Sequence, residues 1–461
     1  MENKQKTAAE LRAEVNSENG GAREIISNLF DDSTFVELGT YVRRLRTELD
    51  TDPNCEYEGV ITGYGAVDGH LVYAFVQDFS RMKGALSEAH AKKIVALYNT
   101  ALNNNAPVIG FFDSAGANIL EGISALSGYG MIMKKVSETS GVIPQIAVIS
   151  GICSGASAII AGMFDFTIGV INKGSLYINP PFILKEKFGN KYTGKIWEAA
   201  NNGAVDILTP EISSAIDDIK KLLKYLPANN NIGTNIDEAT DDINRLTPEL
   251  ENINEMKAVI TTIADQGEFF EISGPFAQEI ITGFMKLNGS VIGVVANNGA
   301  ISAKAALKAA KFIGFCDGFK IPLLTLVDTE GYDISLDSEH TPFSTALSGL
   351  AYSYAMSDNA KVTVILGKAY GSAFTLMGSK TLGADIVFAI DRTSICIMPP
   401  ESYVSFVWRG ENKEISQDFI NNLVSPLNAA RNGDIDDIIS CGEIRQRITA
   451  AFEMLAFKNG G

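Results

Sequence analysis

The chain has 461 residues, with 38 Lys and Arg against 55 Asp and Glu, a formal charge of −17, and only three histidines. This acidic balance argues against nucleic acid and anionic membrane surfaces as partners, and so few histidines give a His-based metal site little to work with, so no metal is expected. The length calls for two domains of about 200 residues each. No apolar run approaches the roughly 20 residues that cross a bilayer, and MENKQKTAAELRAEVN lacks a signal-peptide core, so a cytoplasmic protein is expected. Cys55, Cys153, Cys316, Cys396 and Cys441 show no CxxC spacing and read as free thiols.

Taken in order, residues 1 to 30 predict a polar helical arm. Glu58 to Asp78 alternates around Asp68-Gly69 and predicts a β-hairpin. A helix follows from Leu86, with Ile94, Leu97, Tyr98, Ala101 and Leu102 on one face. Pro107 opens a buried strand that stops at Asp113, and the loop SAGANILEG leads into another helix. The next stretch, IAVISGICSGASAIIAG from Ile146 to Gly162, reads as strand, small-residue turn and helix. That layout leaves backbone N–H groups of the turn unpaired and able to hold an oxyanion.

The second half replays the first. Ile61-Thr62-Gly63 and Gly69 recur 220 positions on, at Ile281-Thr282-Gly283 and Gly289. Ile94, Leu97, Tyr98 and Ala101 recur, shifted by 215, as Ala309, Phe312, Ile313 and Cys316; Pro107, Asp113 and Gly116 recur by the same shift as Pro322, Asp328 and Gly331. Gly151, Gly155 and Gly162 recur, shifted by 216, as Gly367, Gly371 and Gly378, and Ser175 and Pro180-Pro181 recur, shifted by 219, as Ser394 and Pro399-Pro400. The chain is therefore a duplicated α/β domain, with its boundary in the polar run Tyr225 to Leu246. Stacked β–β–α units with oxyanion-type turns fit a spiral better than a Rossmann sheet, and no GxGxxG follows the first strand of either half.

Other motifs are blander. GNKYTGKI, Gly189 to Ile196, falls one residue short of a phosphate-binding loop, with Ile196 where Ser or Thr must ligate magnesium. The Met-Lys pairs in FMKL (Phe284 to Leu287) and IMKK (Ile132 to Lys135) sit inside the repeat and read as structural lysines, not biotin-attachment sites. His90 reads as a surface or core-edge residue and His340 as a residue of an irregular loop. Asp113 and Asp328 read as carboxylates capping the turn after a strand.

The chain resembles the biotin-dependent acyl-CoA carboxyltransferases, the family of the propionyl-CoA carboxylase β subunit and of the methylmalonyl-CoA and glutaconyl-CoA decarboxylase carboxyltransferase subunits. The resemblance runs over nearly the whole length and is most specific in EGVITGYGAVDGHLVYAFVQDFSRMKGALSEAHAKKI, GVIPQIAVISGICSGA, FIGFCDGFKIPLLTLVD, KVTVILGKAYGSAFTLM and SKTLGADIVFA. It implies two tandem crotonase-like β-β-α spiral domains, 1–240 on the acyl-CoA side and 241–461 on the biotin side. It also implies a hexamer whose active sites lie between the N-half of one chain and the C-half of another. Carboxyl transfer creates transient charge on a thioester enolate oxygen and on biotin's ureido oxygen, and each needs fixed donors. The resemblance places these donors at Gly155 and Ala156 for the acyl carbonyl and at Ser372 and Ala373 for biotin. Ala115, Gly116 and Ala117 would line the first pocket, Glu330 and Gly331 the second, and Thr375 stands at the family's chain-length-reading position. Biotin itself would ride on a separate carrier protein, with a biotin carboxylase or a membrane decarboxylase subunit completing the complex.

The pattern also departs from the family. Ala156 and Ser372 replace the second glycine of each turn, Ala115 and Asn118 replace a glycine and an arginine in the first loop, and Thr329 to Asp333 replace a Pro-Gly-Phe run. Two other readings stay open: a biotin-independent crotonase-like hydratase or isomerase using Glu121 as its carboxylate, and a non-catalytic assembly subunit.

Overall fold

The computed structural model describes residues 6–17, 21–46, 57–189, 191–233, 238, 241–408 and 416–459. Cys55, part of the polar run after Tyr225, and Thr240 at the expected domain boundary lie outside them. By contact density the chain divides into two compact units, Met1–Ile232 and Gly233–Gly461.

In the first unit the strands are β1 (Val36–Leu38), β2 (Val60–Val67), β3 (His70–Gln77), β4 (Val108–Ser114), β5 (Gln145–Ser154), β6 (Phe166–Val170), β7 (Ser175–Tyr177) and β8 (Ile207–Thr209). They form one sheet in the order β1-β2-β3-β4-β5-β6-β8, with β7 paired to β5 off this path. The second unit repeats the arrangement with β9 (Phe269–Ile272), β10 (Ile280–Leu287), β11 (Ser290–Asn297), β12 (Leu323–Thr329), β13 (Lys361–Tyr370), β14 (Ile386–Ile390), β15 (Ser394–Cys396) and β16 (Asp437–Ile439). Its order is β16-β14-β13-β12-β11-β10-β9, with β15 paired to β13. The spiral expected from the repeat is thus present twice. β4 to β6 and β12 to β14 run parallel and are buried almost throughout, which is why they read as unbroken apolar runs.

Both hairpins turn as the sequence predicts. Asp68 and Gly69 take φ of 48° and 78°, and Asn288 and Gly289 take 51° and 78°, left-handed values that Asp-Gly and Asn-Gly tolerate. A carboxylate outside each hairpin closes it: Asp31 accepts from the N–H groups of Asp68 and Gly69 at 3.1 and 2.9 Å, and Asp265 from Asn288 and Gly289 at 3.1 and 2.8 Å. The helices Glu88–Asn103 and Ala303–Gly318 both start on a serine cap, Ser87 and Ser302. Each buries the predicted face, Ile94, Leu97, Tyr98 and Ala101 in one and Ala309, Phe312, Ile313 and Cys316 in the other.

His90 corrects the sequence reading. It is fully buried against β3 rather than at a surface or core edge, its Nε2 lying 3.3 Å from Gln77 Nε2. Burial, reinforced by Lys93, depresses its pKa to about 3, so it is neutral at physiological pH.

The two recurring aspartates shape the strand that delivers each turn. Asp113 Oδ1 accepts from Ile152 N at 3.0 Å, and Asp328 Oδ1 accepts from Lys368 N at 2.8 Å. Room for each carboxylate exists only because Gly151 and Gly367 lack a Cβ, which would overlap it. The ladder register shifts at this point, between Phe112 and Ser114 and between Val327 and Thr329. β5 and β13 then part from β6 and β14 and pair on that side with the short strands β7 and β15, while Cys153 and Ala369 remain paired with Ser114 and Thr329. Both carboxylates are therefore structural, but each holds the backbone of the neighbouring strand rather than the turn after its own strand, because the register shift turns the Ile152 and Lys368 N–H groups toward them.

Candidate active site

Each redirected strand ends on a glycine that only glycine can be. Gly155 has φ 55° and ψ −122°, and Gly371 has φ 62° and ψ −156°. At both, the N–H is already used: Gly155 N donates to Tyr177 O and Gly371 N to Cys396 O, each at 3.0 Å. The short strands β7 and β15 thus pin the two turns. After the glycine the backbone enters a short helix, Ala156–Gly162 or Ser372–Leu376, whose first donors have no preceding turn to bond. Among the described residues, the N–H groups of Ala156 and Ser157 in one half and of Ser372 and Ala373 in the other have no acceptor. The glycines set the conformation, and the two residues after each of them present the free donors.

The expected pair Gly155 and Ala156 is therefore offset by one from the expected pair Ser372 and Ala373. The chain's own shift of 216 maps Ser372 and Ala373 onto Ala156 and Ser157. That arithmetic was available in the sequence and would have brought in Ser157. The Ser157 hydroxyl lies 3.2 Å from Tyr129 Oη inside the core, so its backbone rather than its side chain is what the turn offers.

The loops after β4 and β12 come to the same turns. Gly116 and Gly331 each donate their N–H to a hydroxyl two residues back, Ser114 Oγ at 3.1 Å and Thr329 Oγ1 at 3.2 Å. A Cβ at Gly116 would stand 3.7 Å from Ser154 Oγ, and one at Gly331 3.9 Å from Tyr370 O, so both glycines lie against the residue that precedes the turn glycine. Leu86 N donates to Gly116 O and Asn118 N to Leu86 O, both at 2.9 Å, so the Ala117 N–H faces away from Leu86. Ile301 holds Gly331 and Asp333 in the same way at 3.0 and 2.9 Å, leaving the Tyr332 N–H facing away. Sequence reasoning named Ala117 but not Tyr332.

The remaining candidates are placed as follows. Ala115 is exposed, and its N–H donates to Lys83 O at 3.0 Å. Glu330 is exposed and ion-paired with Lys368, whose ammonium it holds above the ordinary lysine range. Thr375 is exposed on the short helix that follows Gly371. The altered loop after β12 walls a cavity of about 690 Å³ lined by Tyr332, Ile334, Leu336, Phe343 and Leu347 among others, with His340 exposed in the same segment.

Glu121 is occupied. Its carboxylate accepts from Glu88 N at 2.9 Å and from Asn118 Nδ2 at 3.3 Å, so it caps the Glu88–Asn103 helix. In the GNKYTGKI segment the N–H groups of Thr193 and Gly194 donate to Glu198 at 3.1 and 2.9 Å, which leaves no phosphate cradle; Asn190 lies outside the described residues. Lys135 pairs with Glu138 at 2.6 Å. Cys153, Cys316 and Cys441 are buried thiols, and Cys396 is half-buried on β15.

A spiral fold used twice, with a turn of unpaired amides ending the long parallel strand of each half, is an arrangement suited to steadying oxyanions. The chain belongs to the carboxyl transferase family, whose domain model matches residues 16–460. It is 37% identical over 466 residues to the methylmalonyl-CoA decarboxylase subunit alpha of Propionigenium modestum, covering 95% of this chain and 90% of that protein. It is 33% identical to the propionyl-CoA carboxylase beta chain of Roseobacter denitrificans, covering 95% and 91%. Among solved structures it is similar to transcarboxylase 12S, a hexamer core seen with methylmalonyl-coenzyme A and methylmalonic acid bound, with a TM-score of 0.90, 32% identity and coverage of 97% and 92%. The protein is an acyl-CoA carboxyltransferase of the propionyl-CoA carboxylase and methylmalonyl-CoA decarboxylase type, with two crotonase-fold domains.

Proposed function

We propose that the chain moves a carboxyl group between carboxybiotin on a separate carrier protein and the α-carbon of a short acyl-CoA, propionyl-CoA/methylmalonyl-CoA or acetyl-CoA/malonyl-CoA. The observation that carries this is the doubled set of unengaged amides: Ala117, Ala156 and Ser157 in one half, Tyr332, Ser372 and Ala373 in the other. Two developing oxyanions are what this reaction makes, and two such sets are what the fold offers.

In the decarboxylating direction the bond from the α-carbon to the carboxyl group breaks and its electron pair moves onto the thioester oxygen. The amides of Ala156 and Ala117 would hold that enolate oxygen, and a proton then returns to the α-carbon. Biotin, when bound, would supply the ureido nitrogen that takes the carboxyl group and gives up that proton. The amides of Ser372 and Ala373, which have no acceptor among the described residues, suit the ureido oxygen. Donors fixed by β7 and β15 need no reorganisation as charge develops. Because Glu121 is spent on a helix cap, the hydratase reading lacks its carboxylate.

The partners follow from this chemistry: a biotin carrier protein, and either a biotin carboxylase or a membrane decarboxylase subunit. No helix among the described residues is long and apolar enough to cross a membrane. Self-assembly, as a hexamer like that of transcarboxylase 12S, is supported by large apolar side chains left open near the turns. Ile119 is 86% exposed and Ile123 75% in one half; Ile334 is 100% and Ile397 71% in the other.

The test is a panel of carboxyacyl-CoAs assayed for CO2 release with and without free biotin. Biotin-dependent release from methylmalonyl-CoA or malonyl-CoA is expected. Retained CoA binding without release would mark an assembly subunit, and biotin-free hydration of crotonyl-CoA would mark a hydratase.

A further inference from the structure

The duplication supplies an internal control for what the fold needs. In the second half three residues, Asn298 to Ala300, join β11 to Ile301, which holds the loop after β12. In the first half eight residues, Asp78 to Ala85, make the equivalent connection from β3 to Leu86. The flanking registers are the same, since Val60 faces Gln77 as Ile280 faces Asn297. Folding the sheet therefore does not require the extra segment.

That segment is costly in conformation and specific in placement. Met82 and Lys83 both take left-handed backbone, at φ 48° and 55°, where lysine gains nothing over glycine. Gly84, at φ 63°, packs so tightly on Asp113 O that a Cβ would overlap it. The Lys83 carbonyl accepts the Ala115 N–H at 3.0 Å, and Gly116, the next residue, lies beside Ser154, the residue before the turn glycine. The neighbouring cation Arg81 is buried and held by Asp78 at 3.6 Å and Val15 O at 3.0 Å. Lys83 instead is exposed and has no carboxylate partner among the described residues. The loop Ser114 to Asn118 carries no charge of its own, and the chain as a whole bears −17.

We propose that Lys83 is a binding residue for an anionic group of the acyl-CoA, either the carboxyl group to be transferred or the coenzyme's phosphates. This rests on the acyl-CoA reading of the first half. An ammonium carried by a residue bonded through its carbonyl to the loop before the turn would offset the repulsion between an acidic protein and a polyanionic substrate. Left-handed backbone at a lysine is retained because the side chain is used there.

The experiment measures binding of methylmalonyl-CoA, propionyl-CoA and free CoA by calorimetry to the wild-type chain and to Lys83→Gln, Lys83→Gly and Lys83→Arg. Loss of a charged hydrogen bond predicts roughly ten- to hundred-fold weaker binding for the Gln and Gly variants, with Arg restoring most of it. A loss confined to methylmalonyl-CoA assigns the carboxyl group; an equal loss for all three ligands assigns the phosphates. Lys83→Gly relieves the backbone, so a Gly variant that binds like wild type would overturn the proposal, as would Gln and Gly variants both within two-fold of wild type. Failure of the wild-type chain to bind any of the three ligands would instead sink the acyl-CoA reading of this half.

Discussion

Gly155→Ala tests the site most directly, because the cost can be assigned before the experiment. A Cβ at this position meets nothing within 4 Å, so the surroundings impose no clash. The whole penalty lies in the residue's own backbone at φ 55° and ψ −122°, a region that costs a non-glycine residue about 1–3 kcal/mol. Opposing relaxation are the bond from Gly155 N to Tyr177 O at 3.0 Å and those from Ala158 and Ile159 N to Gly155 O at 3.1 and 3.3 Å. At about 1 kcal/mol each these roughly match the strain, so the turn is expected to relax in part and swing the Ala156 amide. Loss of one oxyanion donor costs about 2.7–4 kcal/mol, so kcat should fall between about ten-fold for partial relaxation and several hundred-fold for full relaxation. Stability should fall by no more than about 3 kcal/mol. Thermal unfolding and biotin-dependent CO2 release from methylmalonyl-CoA, measured on the same preparation, separate the two effects. A variant with wild-type stability and wild-type kcat would refute the role given to this turn.

Gly151→Ala should destabilise by about 2–4 kcal/mol in chemical denaturation, because its Cβ drives the Asp113 carboxylate off Ile152 N; Gly367→Ala should match it against Asp328 and Lys368 N. His90 is neutral in the native state with a pKa of about 3 against an ordinary 6.5, whereas the unfolded chain takes up a proton below 6.5, so stability drains as pH falls through that window. Between pH 7 and pH 5 the wild type should lose about 2 kcal/mol more than His90→Gln, read from urea midpoints at each pH, and parallel pH curves would contradict the assignment. Glu121→Gln should cost about 0.5–1.5 kcal/mol of stability through the weakened helix cap while leaving carboxyl transfer within two-fold, and abolished transfer would make it a reacting group after all. Asn297 is fully buried with neither side-chain polar atom bonded to any described residue, so Asn297→Leu should raise the unfolding free energy by about 1 kcal/mol, read as a higher urea midpoint.

The duplication, the hairpins, the buried helix faces and the paired aspartates could all be read from spacing. Each depends on a residue type that recurs where the backbone or the core demands it. Asp113 with Gly151 and Asp328 with Gly367 are such pairs, one residue supplying the carboxylate and the other the space. His90 reads as a surface or core-edge residue because the sequence does not reveal that Gln77, on β3, packs against it.

Family, fold and the location of both turns were decided by the sequence itself, since small residues and glycines at fixed intervals leave few backbone paths. Which amides are free was not, because every residue carries the same N–H and its availability depends on what lies opposite. Tyr177 and Cys396, remote in sequence from the glycines they engage, take the Gly155 and Gly371 donors and leave those of the following residues. The same long-range pairing that shapes the turn therefore selects which amides stay free, and only the assembled tertiary structure contains it.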